Sequence, residues 1–576
     1  MSYICNPMRL DYRYQMVRPH HTEPDQLCRL HREAADPSMV LFKGNYYLFP
    51  SVSGGFWFSN NLSEWTYRPF SCKMPVHDYA PDVRPIGDYL YFSASSNQKN
   101  CSFYRTRDPL NEPFEEIKGT FPFWDPNLFS DDDGRLYFFW GCSNETPLYG
   151  VELDPETMKP RMDPIPLIFG QPTKLGYERN GEDHCGLPEQ IPYLEGAWMT
   201  KHQGKYYLQY AQPGTQVNVY NDGVYVSESP LGPYHPAKNN PFSYCPGGFT
   251  RGAGHGSTMK DKQGRFWHTS TIGINQNHIF ERRIGMWKAG FDRDGELYCD
   301  QRYPDWPVDI DSAPFSNPEW MLLSYRKSVT VSSGLEGEKV TNENIRDWWH
   351  AANANTPAWV EVDLGTICNI GAIQVNFADH EVYAALPVDA DLCSNPFEER
   401  AIDMSCPVTR WYLEGSTDRI SWQILADRRD TATDYPHDLA VMKHQTKSRF
   451  IRLTITEVPF HGIPAISGVR IFGRTSENKP RKKIPLVRRT GALDMDISWE
   501  RENETGVNIL WGYAPDKLYH SYLTYGETQQ KIGALIEGQD VWVRLDAFNG
   551  GGITEGDSVR VPDIVENVVC RGETMI

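Results

Sequence analysis

In the first 300 residues a short apolar or β-branched run, a polar turn carrying glycine and an aromatic-rich run recur five times. The copies read SMVLFKGNYYLFPS, DVRPIGDYLYFSAS, NLFSDDDGRLYFFWG, AWMTKHQGKYYLQYA and STMKDKQGRFWHTST. Strand-forming runs on both sides of a short glycine turn predict a β-hairpin in each copy. The turn glycines are Gly44, Gly87, Gly134, Gly204 and Gly264, spaced by 43, 47, 70 and 60 residues. Such periods suit four-stranded blades with loop insertions in the later units. Strand-like pieces after the hairpins, GGFWFSNNLSEWTYRPF at 54–70 and GVYVSESPLGPYHP at 223–236, predict outer strands. No helical period of useful length intervenes, which argues against a (β/α)-barrel or a doubly wound sheet. Residues 1–315 are therefore expected to form a five-bladed β-propeller.

At PVDIDSAPFSNPEW the texture becomes Pro- and Ser-rich, marking a join. A second β-rich region, 320–475, contains WVEVDLG, IGAIQVNF, RWYLEGSTDRISWQIL, SRFIRLTI and ISGVRIFG, whose alternation predicts a β-sandwich. The basic run NKPRKKIPLVRR reads as a solvated linker. The short strands DMDISWE, GVNILWGYA, DVWVRLDAF and DSVRVP then predict a small sandwich over 486–565. The fold class is all-β: a five-bladed propeller followed by two β-sandwich domains.

At 576 residues the chain has room for two to four domains. Its 57 Lys and Arg against 75 Asp and Glu leave a net charge of −18, a poor surface for nucleic acid or anionic lipid, so neither partner is expected. No run approaches the ~18 apolar residues of a membrane-spanning helix. MSYICNPMRL has no apolar signal core, so the expected location is the cytoplasm, or the periplasm or exterior if a signal peptide has been removed. Twelve cysteines without a CxxC pair read as mostly free thiols rather than a metal framework. No organic cofactor is expected, and nothing in the sequence fixes the oligomeric state.

Counting back from each turn glycine finds Asp36, Asp82, Asp125, Glu195 and His255, at 8, 5, 9, 9 and 9 residues before it. In a propeller the first strand of each blade lines the central channel, so these side chains are expected at one mouth. Clustered carboxylates raise one another's proton affinity and cost stability, which makes a purely structural explanation of all three acids weak. Asp36 and Asp125 share an Asp-Pro step, expected to hold each Asp extended. Two carboxylates across an enclosed pocket are the equipment for hydrolysing a glycosidic bond. Glu195, near Tyr193 and Trp198, is the better acid; Asp36, preceded by two alanines, is the better base; Asp125 orients and tunes the acid. His255, flanked by glycines in RGAGHGST, is a candidate ligand for a cation, with calcium suiting a site otherwise built of oxygens. Trp124 is expected to form a wall against the sugar, with Phe56 a second candidate. Arg283 is expected to reach the pocket, or Arg282 in its place, since a one-residue shift changes the face.

These motifs, ADPSMVLFKGNYYLFPS, WDPNLFSDDDGRLYFFWG and LEGAWMTKHQGKYYLQYA, resemble glycoside hydrolase family 43 over about residues 6–307. The resemblance implies an inverting hydrolase with Asp36 as base, Asp125 as modulator and Glu195 as acid. It also implies a central, calcium-like ion near His255, and a pocket role for Asp82 in YAPDV. The implied activity is release of pentoses from glycans or oligosaccharides, as an α-L-arabinofuranosidase or β-xylosidase. Galactose-directed hydrolysis, a non-catalytic carbohydrate-binding scaffold and a fructan-type retaining enzyme are the alternatives. The middle region resembles a discoidin or coagulation factor type C sandwich, a potential carbohydrate-binding module. Its insertion EVYAALPVDADLCSNPFEERAIDMSCPV is expected to cover a loop surface used for sugar binding elsewhere. The last unit resembles fibronectin type III.

Overall fold

The computed structural model describes residues 2–19, 27–72, 74, 79–95, 100–387, 390, 392–394 and 398–563. Each predicted hairpin forms, and each opens an antiparallel sheet. The first sheet runs Ala35–Phe42, Asn45–Ser51, Gly55–Ser59 and Thr66–Pro69; the second runs Asp82–Ile86, Tyr89–Ser93, Cys101–Thr106 and Glu115–Phe121. The third comprises Asn127–Ser130, Leu136–Trp140, Leu148–Leu153 and Ile165–Ile168. The fourth comprises Glu195–His202, Lys205–Gln212, Asn221–Ser227 and His235–Pro236, with Ser243–Tyr244 added to its third strand. Arg251–Lys260, Phe266–Gly273, Arg282–Phe291 and Leu297–Cys299 form the fifth. The five turn glycines all have φ between 56° and 83°. A Cβ at any of them would meet no neighbour within 4 Å, so backbone conformation and not space selects glycine.

The first strands of successive sheets touch, and Arg251–Lys260 of the fifth touches Ala35–Phe42 of the first, closing a propeller-like ring. Hydrogen bonds to backbone groups stitch every junction. Val83 N donates to Ser38 Oγ (2.9 Å), Leu128 N to Asp82 Oδ2 (2.7 Å) and Met199 N to Asn127 Oδ1 (2.8 Å). Trp198 Nε1 donates to the Thr258 carbonyl (3.1 Å), and Met39 N to Ser257 Oγ (2.9 Å). Apolar side chains fill the wedges between sheets, as Val40, Phe49 and Phe92 do between the first and second.

Beyond the ring, an eight-stranded antiparallel sheet is built around Ala358–Phe377, His437–Glu457 and Ala465–Arg474. The C-terminal region holds a three-stranded sheet and a five-stranded one. Both regions pack on the ring. Met495, Ile509 and Trp511 share an apolar cluster with Leu175, Leu208 and Tyr210. Arg470, buried, binds Glu343 and reaches across to Asp305 (2.6 Å).

One sheet departs from the expected layout. The N-terminal strands Arg13–Pro19 and Cys28–Glu33 lie outside the ring sheets, in a sheet with Tyr383–Ala384, Cys393–Ser394 and Glu398–Ile402. Those three strands come from the insertion in the middle region, so its described part is committed to the N-terminal hairpin.

Candidate active site

The register that places the site is a backbone distortion at the head of the first strands. Asp36, Asp125 and His255 have φ of 50°, 51° and 53°. Pairing slips between Ala35 and Ser38 and between Gly254 and Ser257, which marks a β-bulge at each place. In the fourth sheet the slip lies between Glu195 and Trp198, and Gly196 (φ 61°) takes the left-handed conformation directly after Glu195. The expected extended Asp-Pro conformation is thus incorrect: both aspartates are left-handed, Asp36 within the bulge of its strand and Asp125 just ahead of the strand that starts at Asn127, and both line the cavity at the ring's mouth. Left-handed conformations at three non-glycine residues cost free energy and persist because the surroundings hold them.

Hydroxyls do much of that holding. Asp36 N donates to Thr271 Oγ1 (2.8 Å), Ala80 N to Ser51 Oγ (2.7 Å) and Asp125 N to Ser95 Oγ (3.0 Å). In each case the hydroxyl comes from the end of the second strand of the neighbouring sheet.

The mouth encloses a cavity of ≈ 360 Å³ lined by Asp36, Trp124, Asp125, Tyr193, Glu195, His255 and Arg282, with Tyr79, Cys142, Gln216 and Phe280 among the others. That size suits one or two sugar rings. Asp36 is 4% exposed. Its Oδ2 accepts from Ser51 Oγ (2.8 Å), and its Oδ1 from Arg282 Nη1 (3.2 Å) and Thr271 Oγ1 (3.3 Å). Glu195 Oε1 accepts from the Tyr220 hydroxyl and Oε2 from Cys142 Sγ (3.2 Å). His255 Nδ1 lies 3.6 Å from Asp36 Oδ1 and 3.8 Å from Asp125 Oδ2.

Burial opposes charge on His255, but Asp36, Asp125 and Glu195 outweigh it and raise its proton affinity above that of a free imidazole. Burial, reinforced by Glu195 and Asp36, pushes Asp125 up to about 8 against the opposing pull of His255. Asp125 therefore keeps a proton past neutral pH beside Glu195. Burial and both carboxylates also drive the Cys142 thiol well above its ordinary value, so it remains a neutral donor.

Asp125, Cys142 and Glu195 each offer a ligand atom within 4.8 Å of the others, a set able to hold a cation. Calcium takes six to eight oxygen ligands in general, and a set of two carboxylates and a thiol does not fit it. His255 is not in this set.

Asp36, Asp125, Glu195, Trp124 and His255 thus meet as expected from the sequence. Three other expectations need correction. Asp82 is buried in the seam between the second and third sheets, where its carboxylate accepts from Leu128 N and Asn127 Nδ2 (2.9 Å). It occupies the stitching position of Ser38, Asn127 and Ser257, two residues past a left-handed residue, which in the second sheet is Ala80 (φ 59°). Phe56 is 1% exposed and stacks on Phe49 (4.6 Å between centroids) within the first wedge, because the glycines before it start a regular buried strand. Arg283 points to the opposite face from the cavity, donating to His437 Nε2 (3.0 Å), while Arg282 faces Asp36.

Cys142, Tyr79, Tyr220 and Phe280 were missed by the sequence reading. A signal for Cys142 existed: counting forward seven or eight residues from the turn glycines gives Ser51, Ser95, Cys142, Gln212 and Thr271, the polar ends of the second strands. No comparable spacing marks the others, which come from connections between strands.

Against known proteins, residues 30–297 match the model described as glycosyl hydrolases family 43. The beta-D-galactofuranosidase xynD of Aspergillus niger is 23% identical over 236 residues, covering 35% of this chain and 62% of that protein. A putative beta-xylosidase of Escherichia coli is 30% identical over 171 residues, 28% of this chain and 27% of that protein. Xylosidase/arabinosidase 43A of Humicola insolens is 25% identical over 335 residues, 46% of this chain and 96% of that protein. The chain thus spans under two thirds of the length of the first two relatives. With the three carboxylates meeting at one mouth of a ring formed by the matched residues, residues 30–297 are similar to the glycosyl hydrolases of family 43.

Proposed function

We propose that the protein releases pentose residues from plant-type glycans or oligosaccharides with inversion of configuration, as an α-L-arabinofuranosidase or β-xylosidase. The observation that carries this reading is the convergence of Asp36, Asp125 and Glu195, from three separate sheets, on one cavity around His255. Asp36 is the base: Ser51, Thr271 and Arg282 fix its carboxylate, which takes a proton from the attacking water. Glu195 is the acid, held at both oxygens by Tyr220 and Cys142 as it protonates the leaving oxygen. The proton kept at Asp125, within the same 4.8 Å cluster, is the reservoir on which Glu195 draws. Inversion needs the two working carboxyls about 6.5–9.5 Å apart, leaving room for water. Trp124 and Tyr79 are the apolar walls for the sugar face.

In this reading the five ring sheets are five propeller blades, and the later regions are a discoidin-like and a fibronectin type III-like sandwich at 320–475 and 486–565. The calcium expected beside His255 has no step in it. The names of the Escherichia and Humicola relatives support the pentose assignment; that of the Aspergillus relative keeps galactofuranosides as the second reading. The test is turnover of nitrophenyl α-L-arabinofuranoside, β-D-xylopyranoside, β-D-galactofuranoside and β-D-galactopyranoside, with the first-formed anomer followed by proton NMR. Inverted pentose is expected. Retained configuration overturns the mechanism, and turnover of galactofuranoside alone overturns the sugar.

A further inference from the structure

The strand Glu398–Ile402 pairs with Arg13–Pro19 in the register Val17↔Arg400. This register carries Arg400, 3% exposed, to the edge of the catalytic ring. Arg400 Nη1 binds Glu33 Oε2 at 2.9 Å. The other oxygen of Glu33 accepts from Arg282 Nη2 (2.9 Å) and Nε (3.1 Å), and Arg282 Nη1 goes on to Asp36 (3.2 Å). A buried row of alternating charge therefore runs from a strand of the middle region to the proposed base: Arg400, Glu33, Arg282, Asp36. Arg400 also lies over the ring of Tyr79, 5.7 Å from its centroid, and Arg282 lies over the same ring at 5.5 Å. Tyr79 lines the cavity.

We propose that Arg400 is a positioning residue for hydrolysis: it satisfies Glu33 from the side away from the cavity, so that Arg282 remains directed at Asp36. The inference rests on the assignment of Asp36 as base. Glu33 is fully buried, and an ion there must be paired. Burial alone would raise its proton affinity, but Arg400 and Arg282 hold it well below the usual carboxylate range. His31 Nε2, 3.6 Å away, cannot replace Arg400, because burial pushes its imidazole down to about 4 and leaves it neutral at working pH. Without Arg400 one guanidinium must serve two carboxylates. Arg282 already gives Glu33 two of its donors, so Asp36 is the partner that loses. The other groups facing Asp36 are His255, the hydroxyls of Ser51 and Thr271, and the Tyr220 phenol, which stays neutral well above its ordinary range, with Asp125 and Glu195 also close to the imidazole. Of these only His255 can carry a positive charge, and it is shared with Asp125.

The test compares Arg400→Met, Arg400→Lys and Arg400→Met/Glu33→Gln with the unsubstituted full chain on the nitrophenyl glycoside it turns over. Profiles of kcat and kcat/KM against pH are recorded, with near-ultraviolet circular dichroism to verify folding. Arg400→Met is expected to move the acidic limb of kcat/KM up by ~1 pH unit, as the loss of one facing charge does, and to lower kcat about tenfold. Arg400→Lys is expected to move it less, in the same direction. The double variant is expected to return the limb, since a neutral Glu33→Gln no longer competes for Arg282. A purely structural contribution predicts no such return. An unmoved limb in Arg400→Met, or in Arg400→Lys if the Met variant does not fold, overturns the inference, as does a double variant no better than the single. Asp36→Asn separates the two levels: full turnover there refutes the base assignment, whereas an inactive Asp36→Asn beside an unmoved limb refutes only the role of Arg400.

Discussion

Replacing Glu195 by Gln removes one proton from the site and little else. The Gln carbonyl can still accept from the Tyr220 hydroxyl, and the amide then faces Cys142 Sγ, a weak acceptor that tolerates it. The cavity walls are untouched, so KM is expected to hold. General acid catalysis is worth about 10²–10⁴ in rate. Glu195 is anchored at both oxygens and has a protonated Asp125 beside it, which places it no lower than the middle of that range, about 10³ or 4 kcal/mol of barrier. The full loss is expected only when the leaving group needs the proton. The assay is kcat for an unactivated oligosaccharide against kcat for a dinitrophenyl glycoside of the same sugar, in the unsubstituted protein and in Glu195→Gln. A thousandfold loss on the first and less than about tenfold on the second is the expected signature. Equal losses on both substrates would refute the acid assignment.

Other perturbations separate the site from its scaffold. Activity should fall as pH rises through about 8, where Asp125 gives up the proton that burial keeps on it. Thermal stability should fall earlier, from about pH 4 up to about 8, and level off above, because over that interval the folded chain holds a proton at Asp125 that the unfolded chain has lost; pH-resolved melting of the protein and of Asp125→Asn isolates that contribution. Asp82→Ala should lower the melting temperature by opening the seam to Leu128 N while leaving KM unchanged, and a raised KM with unchanged melting would restore Asp82 to the pocket. Phe56→Ala should cost about 3–5 kcal/mol through the cavity it leaves against Phe49, visible in denaturant unfolding, with specific activity of the folded protein retained.

The candidate site was legible in the sequence because one geometric device is repeated. A glycine that must turn left fixes each hairpin, and a constant count back from it reaches the bulge where a side chain is turned out. Asp36, Asp125 and His255 obey that count at eight or nine residues, and Glu195, also nine before its turn glycine, sits directly before the left-handed Gly196. Asp82 sat at five, and that discrepancy was the warning: the same strand position elsewhere carries Ser38, Asn127 or Ser257, whose work is joining sheets. Arg282 and Arg283 could not be separated by alternation, because both are buried and both are satisfied, one by acids at the mouth and the other by His437 behind it.

What the sequence hid is contact between distant segments. Nothing in the composition of EERAI announces that it will pair with RYQMVRP nearly four hundred residues earlier, since strand pairing needs only backbone donors and acceptors and both runs supply them. The charge pattern was equally silent. Arg400 reads as one more surface arginine until the register puts it beside Glu33, and Glu33 reads as a neighbour of Asp36 in sequence when it is its neighbour through Arg282 in space. A ring that repeats one hairpin can specify the positions of its acids locally. The electrostatic setting of those acids depends on pairings that repeat nowhere, and in this chain one of them is supplied by the middle region.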